Sequence, residues 1–355
     1  MTKKICILAG SSLRYLPYLG LYTGLLDKAG VEYEVIYWDR HDEDGNRSGF
    51  FRYAKAAKGQ GVVLLPQYWG FRRYILEQLK GKDFNLFIVL GMQIGVFLAD
   101  FLRGKDYVVD IRDHSHENNP LYRSIARRVL AGARLICISS PGFKQWLPAS
   151  DRVAVSHNVS MIASDSPIHE GRLPGHRLIS YVGEVRYPVP NREFMEFVAR
   201  NPHWKLAYHG AGPELQEFIR FSESLRAENI EFSGRFDPSQ KERFYRESDF
   251  VLCLYGNDHV NVRTLLPNRL YEACAYARPL IVSSGTHLAD LVAEYGLGVV
   301  LDAGDTVRLS ERLEAFFGAD RYAAFVEGCR HFLSKVAHEN EEFRARILGI
   351  LQSNN

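Results

Sequence analysis

Residues 265–284 read Leu265-Leu266-Pro267-Asn268-Arg269-Leu270-Tyr271-Glu272-Ala273-Cys274-Ala275-Tyr276-Ala277-Arg278-Pro279-Leu280-Ile281-Val282-Ser283-Ser284, a helix start followed by a buried strand. Pro267 fits the first helical turn, where a missing N–H costs nothing. Leu270, Ala273, Cys274 and Ala277 recur at the three-and-four spacing of one helical face. Pro279 ends the helix, and Leu280-Ile281-Val282 reads as a strand covered on both faces. Asn268 and Arg269 stand at the helix mouth, where free N–H groups and the macrodipole favour an anion. Glu272 lies one turn further in, beside apolar or small neighbours in sequence. Its carboxylate needs a partner there, and a ligand hydroxyl would serve.

Around this stretch the chain has 355 residues, more than one ordinary core holds, so two domains are expected. An apolar content of 46% with 24% charged residues is that of a globular protein, with no low-complexity or fibrous bias. The five cysteines, Cys6, Cys137, Cys253, Cys274 and Cys329, are scattered in apolar runs without a Cys-x-x-Cys pair. That usage argues for a reduced, cytoplasmic chain with neither disulfides nor a structural zinc. The start, Met1-Thr2-Lys3-Lys4 and then Ile5-Cys6-Ile7-Leu8 turning at Gly10, reads as a first strand and not as a signal peptide. Leu86–Leu102 is too short and too polar for a membrane span; a strand over Leu86–Leu90, a turn at Gly91 and an apolar helix account for it.

In chain order, the first half alternates strands (Ile5–Ala9, Tyr33–Tyr37, Val62–Leu65, Leu86–Leu90, Tyr107–Asp110, Leu135–Ser139, Val153–Ser156) with helical stretches, the pattern of a parallel sheet wrapped by helices. The break Gly10-Ser11-Ser12 follows the first strand, where such sheets bind ligands, although no Gly-x-Gly-x-x-Gly is present. Asp39–Gly49 reads as a mobile polar loop. Tyr68–Tyr74, aromatic and basic, is either a substrate-facing loop or the start of a helix. Asp110-Ile111-Arg112-Asp113-His114-Ser115-His116-Glu117 carries a strand directly into titratable groups. Asp113, His114 and His116 could ligate a metal, but a lone His-x-His is a weak signal, and a structural pairing of Arg112 with nearby acids competes with it. Pro120–Leu135 is a helix on which Arg123, Arg127 and Arg128 stand beside Leu121, Ile125 and Val129; it could lie on an anionic membrane, face a phosphate, or simply be solvated.

Residues 160–176, rich in Ser, Asp, Pro, His and Gly, read as a linker. A second alternating series follows, with strands at Leu178–Val182, Leu206–His209, Ile230–Phe232, Phe250–Leu254, Leu280–Val282 and Val299–Leu301. Two helices, Tyr322–Lys335 and Glu339–Leu351, close the chain. Charge divides unevenly: residues 1–160 hold 22 Lys and Arg against 15 Asp and Glu, and the remainder 22 against 27. A basic first half suits an anionic partner, with surface scatter as the competing explanation.

The second half resembles, stretch by stretch, the donor-binding domain of family 4 retaining glycosyltransferases of the two-domain GT-B fold, surface-polysaccharide type. The residues that carry the likeness are Ile179–Arg186, Leu206–Glu214 with Gly210 and Gly212, Ile230–Phe236, Ser248–Leu254 and Leu266–Ser284. In the first half Asp110–Asp113 is similar to the acceptor-side loop, and His157-Asn158-Val159 to the turn that closes that domain. The resemblance implies two Rossmann-like doubly wound parallel-sheet α/β domains facing each other across a cleft. Their bounds would be 1–165 for the acceptor side and 166–335 for the nucleotide-sugar side, with a terminal helix, 336–355, crossing back. It implies transfer of a sugar from a nucleotide-diphosphate sugar to a glycan or lipid-linked glycan, with retention, without a metal and with no cofactor beyond that co-substrate. The resemblance gives Glu272 the ribose hydroxyls and Phe236 the neighbourhood of the base. Gly10, Arg186, Gly210, Gly212, Thr264, Pro267, Asn268 and Arg269 are placed around the donor, and Asp113 or His114 at the acceptor.

The family's signature has two glutamates, and Thr264 stands where the first would be, so the loop Tyr255–Asn261 is expected to supply the contacts that are lost. Arg186, with Arg192 as the alternative, is expected to clamp the diphosphate. Partners would be the donor, the acceptor and an anionic inner membrane face, and no nucleic acid. A nonhydrolysing nucleotide-sugar 2-epimerase and an inactive binding subunit share this architecture and remain the alternatives.

Overall fold

In the computed structural model, which describes residues 4–57, 64–159, 172–302, 304 and 306–353, the apolar runs become the strands of two sheets. The first holds β1 (Lys4–Ala9), β2 (Glu32–Asp39), β3 (Phe50–Ala54), β4 (Leu86–Leu90), β5 (Tyr107–Ile111), β6 (Leu135–Ile138) and β7 (Val153–Val155), in the order β3-β2-β1-β4-β5-β6-β7. The second holds β8 (Leu178–Val182), β9 (Lys205–His209), β10 (Ile230–Gly234), β11 (Phe250–Cys253), β12 (Leu280–Ser283) and β13 (Gly298–Leu301), in the order β10-β9-β8-β11-β12-β13. Neighbouring strands pair in parallel throughout. Strands β4 and β5 are buried at every residue, which is why each reads as an unbroken hydrophobic run. Two doubly wound α/β sheets are thus present, as the alternation of elements predicts. Each reverses direction once, between β1 and β4 and between β8 and β11, the switch points beyond whose strand carboxyl ends sheets of this kind bind ligands.

The described residues up to 159, with those from His338 on, form one compact unit, and those from 172 to Ala337 form the other. A single helix, Ala319–Gln352, carries the chain from the second unit to the first, where two helices were expected. Its apolar stripe keeps phase across the expected break. Phe325, Cys329, Phe332 and Val336 are buried in the second unit, and Phe343, Ile347 and Leu351 join the core of the first. The polar step between them is used: Asn340 accepts the backbone N–H of His157 at 2.9 Å, and Glu339 meets the His157 ring at 2.5 Å.

Strand β3 was not anticipated, because it is an edge strand, only half-buried, behind a polar loop. Of the expected strand Val62–Leu65, residues 62 and 63 lie outside the described residues, and Leu65 opens a helix, Leu65–Gln78, with a proline in its first turn. Tyr68–Tyr74 belongs to that helix. The expected linker lies outside the described residues over 160–171. The loop after β2 is tied to Asp39, whose carboxylate accepts Ser12 Oγ at 2.8 Å, Asp44 N–H at 2.9 Å and Arg52 Nε at 2.9 Å.

Candidate functional site

In the second unit the loops after β8 and β9 pack backbone on backbone. The Gly183 N–H donates to the His209 carbonyl at 2.8 Å, and the Val185 N–H to that of Ala211 at 3.0 Å. A Cβ on Gly210, which has φ +152°, would fall 1.7 Å from the Gly183 carbonyl oxygen, and one on Gly212 2.2 Å from that of Val185. The Gly-x-Gly turn is therefore explained by close loop packing. These loops, with those after β11, β12 and β13, enclose a cavity of about 630 Å³. Among the described residues, Arg186 is the one lysine or arginine on its lining, half-exposed and bonded to Glu184 at 2.7 Å. Tyr255, Asn257, Asp258 and His259, from the loop expected to replace the missing glutamate, also line it.

The signature helix is Asn268–Ala275, with Pro267 at its N-cap, one place earlier than expected. Residues Arg269 to Ala275 are all buried. Arg269 does not line the cavity, and its side chain turns into the unit. Its Nη1 donates to the Leu252 carbonyl at 2.7 Å, and its guanidinium lies 3.8 Å from the Tyr181 ring centre and 5.0 Å from that of Tyr255. The protein itself holds this side chain: β11 ends in a carbonyl that needs a donor, and two aromatic faces take the flat cation. Asn268 remains exposed at the helix mouth.

Glu272 has protein partners that its sequence neighbours did not reveal. Tyr245 Oη donates to Oε2 at 2.6 Å, and Lys241 pairs with Oε1. Burial, then the charge of Glu272, holds the Tyr245 phenol well above its ordinary pKa, so it serves as a neutral donor. The helix Lys241–Glu247 supplies both groups from positions four apart, one face of a predicted helix; that spacing was the signal for them. Thr264, buried, donates its hydroxyl to the Val260 carbonyl at 2.7 Å. Phe236, half-buried, stands edge-on to Phe244 at 5.2 Å, and Phe244 stacks on His209 at 3.8 Å. Burial, then Arg243, pulls the His209 pKa down to about 4.

In the first unit, a Cβ on Gly10 would meet Ile94 at 2.8 Å, so the turn after β1 sits close on helix Met92–Phe97. At the end of β5, Arg112 forms a two-pronged bond to Asp110, through Nε at 2.6 Å and Nη2 at 2.7 Å. Tyr22 donates to the same carboxylate at 2.6 Å, so the structural pairing of Arg112 holds. Asp113 is exposed beyond that pair. His114 packs edge-on against Trp146 at 5.1 Å, with Nδ1 3.8 Å from Glu117. Among the described residues, no three His, Cys, Asp or Glu side chains converge in a metal-binding group. Asp113 and His114 lie in one unit, and Arg186, Phe236, Thr264, Arg269 and Glu272 in the other.

Residues 179–318 match the family described as glycosyl transferases group 1. A curated relative, the succinoglycan biosynthesis protein ExoL of Rhizobium meliloti (strain 1021), is 32% identical over 101 residues, or 28% of this chain. The chain spans about a quarter of that relative's length, 25%. Among solved structures, the sucrose-phosphate synthase of Thermosynechococcus elongatus matches with a TM-score of 0.69 at 13% identity, covering 98% of each chain. Anabaena HepE, solved in complex with UDP and glucose, matches with 0.69 at 14%, covering 98% of this chain and 99% of its own. WaaG, a glycosyltransferase involved in lipopolysaccharide biosynthesis, matches with 0.67 at 13%, covering 99% and 100%. Residues 179–318 accordingly carry the group 1 glycosyl transferase sequence, on a chain with the GT-B fold.

Proposed function

We propose that the chain is a retaining, metal-independent glycosyltransferase. It moves a sugar from a nucleotide-diphosphate sugar to a glycan or lipid-linked glycan in surface-polysaccharide synthesis. The observation that carries this reading is the match of residues 179–318 to the group 1 family, on a unit whose strand-end loops enclose a cavity at the switch point of its sheet. The complex of HepE with UDP and glucose, and the naming of ExoL as a succinoglycan biosynthesis protein, support the substrate class. Five buried, unpaired thiols support a reducing, cytoplasmic setting.

The chemistry to be catalysed is departure of a nucleoside diphosphate from an anomeric carbon. Negative charge grows on the leaving group, and a cation already in place lowers the barrier without reorganising. Arg186 is the group assigned to that task. Each Glu272 oxygen accepts one protein hydrogen bond and keeps a further lone pair, which two ribose hydroxyls can use. Tyr245 and Lys241 fix the carboxylate for them. Asp113, exposed at the end of β5, orients the acceptor hydroxyl or takes its proton, while His114, packed on Trp146, holds the loop.

Purified chain incubated with a panel of nucleotide sugars and oligosaccharide acceptors tests this. Acceptor-dependent release of nucleoside diphosphate, with the anomeric configuration of the product kept, is expected. Chelator should leave the rate unchanged, and loss of turnover restored by Mg²⁺ overturns metal independence. Epimerised donor in the absence of acceptor, or binding with no turnover across the panel, overturns the transferase reading. Glu272→Gln removes one acceptor oxygen while keeping the shape, and nucleotide affinity measured by calorimetry should fall about tenfold.

A further inference from the structure

Another cavity, of about 390 Å³, lies wholly in the first unit, between helix Pro120–Gly132 and the chain that runs from the end of β6 to β7. Its size falls within the range of about 300–1,000 Å³ usual for small-molecule sites. Arg123 and Arg127 line it from one turn apart on the helix, both exposed, and neither has a carboxylate within ion-pair distance among the described residues. Like charges at that spacing repel. Glu117 is the one acid on the lining among the described residues, its side chain 12% exposed. Its Oε2 accepts the Ser115 N–H at 2.6 Å and lies 3.8 Å from His114 Nδ1. Its Oε1 is buried with no hydrogen-bond partner among the described residues, and so is the indole Nε1 of Trp146, on the same lining.

A buried carboxylate oxygen and a buried indole N–H both call for partners, and the two cations beside them narrow what those are. The third arginine on the lining, Arg152, is engaged: its Nη1 donates to the Ala131 and Ala133 carbonyls, at 3.0 and 2.6 Å, and closes the end of the helix. A ligand that answers the rest donates a hydroxyl to Glu117 Oε1, offers an oxygen to Trp146 Nε1, and brings one anionic group for the planar forks of Arg123 and Arg127. It also sets a ring face among the apolar walls, where Leu147 stands next to Trp146. A sugar that bears a carboxylate has this whole set. A sugar phosphate fits less well, because a charge of nearly −2 would be repelled more strongly by Glu117 than a single one.

We propose that this cavity binds an acidic sugar unit of the acceptor glycan, a uronate whose carboxylate is held by Arg123 and Arg127. Glu117 belongs to the loop that leaves β5 through Asp113, so a glycan anchored here is brought to the acceptor side of the unit. This deepens the transferase reading, on which the acceptor role rests; the uronate site itself does not need it.

The test is titration of the full chain, without donor, with three probes: a glucose trisaccharide, the same trisaccharide oxidised at one C6 to a glucuronate, and its 6-phosphate. The oxidised form should bind about tenfold more tightly than its neutral parent, and the preference should shrink as salt rises. Arg123→Gln and Arg127→Gln should each remove most of that preference; both side chains are exposed, so thermal unfolding should match that of the parent chain. Trp146→Phe should weaken the neutral and the oxidised trisaccharide alike, by about fivefold. In a Trp69→Phe background, with Trp38 and Trp204 fully buried, a change in emission on binding reports Trp146. Equal binding of the neutral and oxidised forms, tighter binding of the 6-phosphate, or a preference that survives both arginine variants each overturns the proposal. In transfer assays Arg127→Gln should raise the KM for the oxidised acceptor. Turnover of that acceptor with a KM that neither arginine variant changes overturns the uronate site and leaves the transferase reading standing. Arginine-dependent binding of the oxidised trisaccharide, with no turnover for any donor and acceptor, supports the site and overturns the transferase reading.

Discussion

The two sheets have the same strand order around their switch points, yet they settle buried charge in opposite ways. At the end of β5, Arg112 is matched by Asp110, with Tyr22 completing the carboxylate and the Ser156 carbonyl taking Arg112 Nη1 at 2.8 Å. At the end of β11, Arg269 is buried too, but its neighbours are a carbonyl and two tyrosine rings, with no carboxylate within ion-pair distance among the described residues. The first arrangement is closed electrically and fixes a loop. The second leaves a buried positive charge at the sheet end where an anionic donor is proposed to bind. The buried carboxylate of Glu272, in the same unit, is instead held by Lys241 and Tyr245. One topology thus carries two electrostatic designs, one suited to rigidity and one to ligand charge.

Removing one partner of the closed pair should have the largest effect. Arg112→Leu strands the Asp110 carboxylate in the interior, and urea denaturation should show a loss of about 3–5 kcal/mol. Replacing both, Asp110→Val with Arg112→Leu, should restore most of that loss, because no charge is left unpaired. If the single variant cost less than about 1 kcal/mol, the pair would not be what secures the strand end.

Arg269→Leu should cost less, about 1–3 kcal/mol, since it leaves only the Leu252 carbonyl without its donor and removes the ring contacts. The same variant should weaken binding of nucleoside diphosphates more than that of nucleosides, measured by calorimetry. A stability loss equal to that of Arg112→Leu would erase the distinction between the two units.

How much of this was legible follows from the same contrast. Fully buried parallel strands announce themselves as apolar runs, so β1, β4, β5, β8, β11 and β12 could be placed from sequence; the half-buried edge strand β3 could not. Glu272 drew notice as a carboxylate in an apolar helix, but its partners lie 27 and 31 residues earlier, and sequence spacing does not report contacts at that range. Arg269 was read as standing at the helix mouth for a related reason: the direction of its side chain depends on Tyr181, in β8, and on Tyr255, in the loop after β11, which its own stretch does not report. The break expected between Lys335 and Glu339 is absent: the apolar stripe runs on through Val336, and Glu339 and Asn340 meet His157 without interrupting the helix.

The smallest effect concerns pH and isolates the second unit. His209 stacks on Phe244, accepts or donates at Ser233 Oγ 3.0 Å away, and has its pKa lowered to about 4 by burial and by Arg243. An unfolded histidine takes a proton near pH 6.5, whereas the folded one resists until about pH 4, so between those values the unfolded state binds more protons. Stability should therefore fall as pH drops through that window, and the part due to His209 is absent above it. Because the ring is partly solvated, the loss should stay under about 2 kcal/mol. The difference in urea midpoint between the parent chain and His209→Gln, followed from pH 7.5 to pH 4.5, reads this part alone, since other carboxylates and histidines are common to both. A difference that stays constant with pH would mean that the stacked ring charges freely, and that the surroundings of His209 are wetter than its packing indicates.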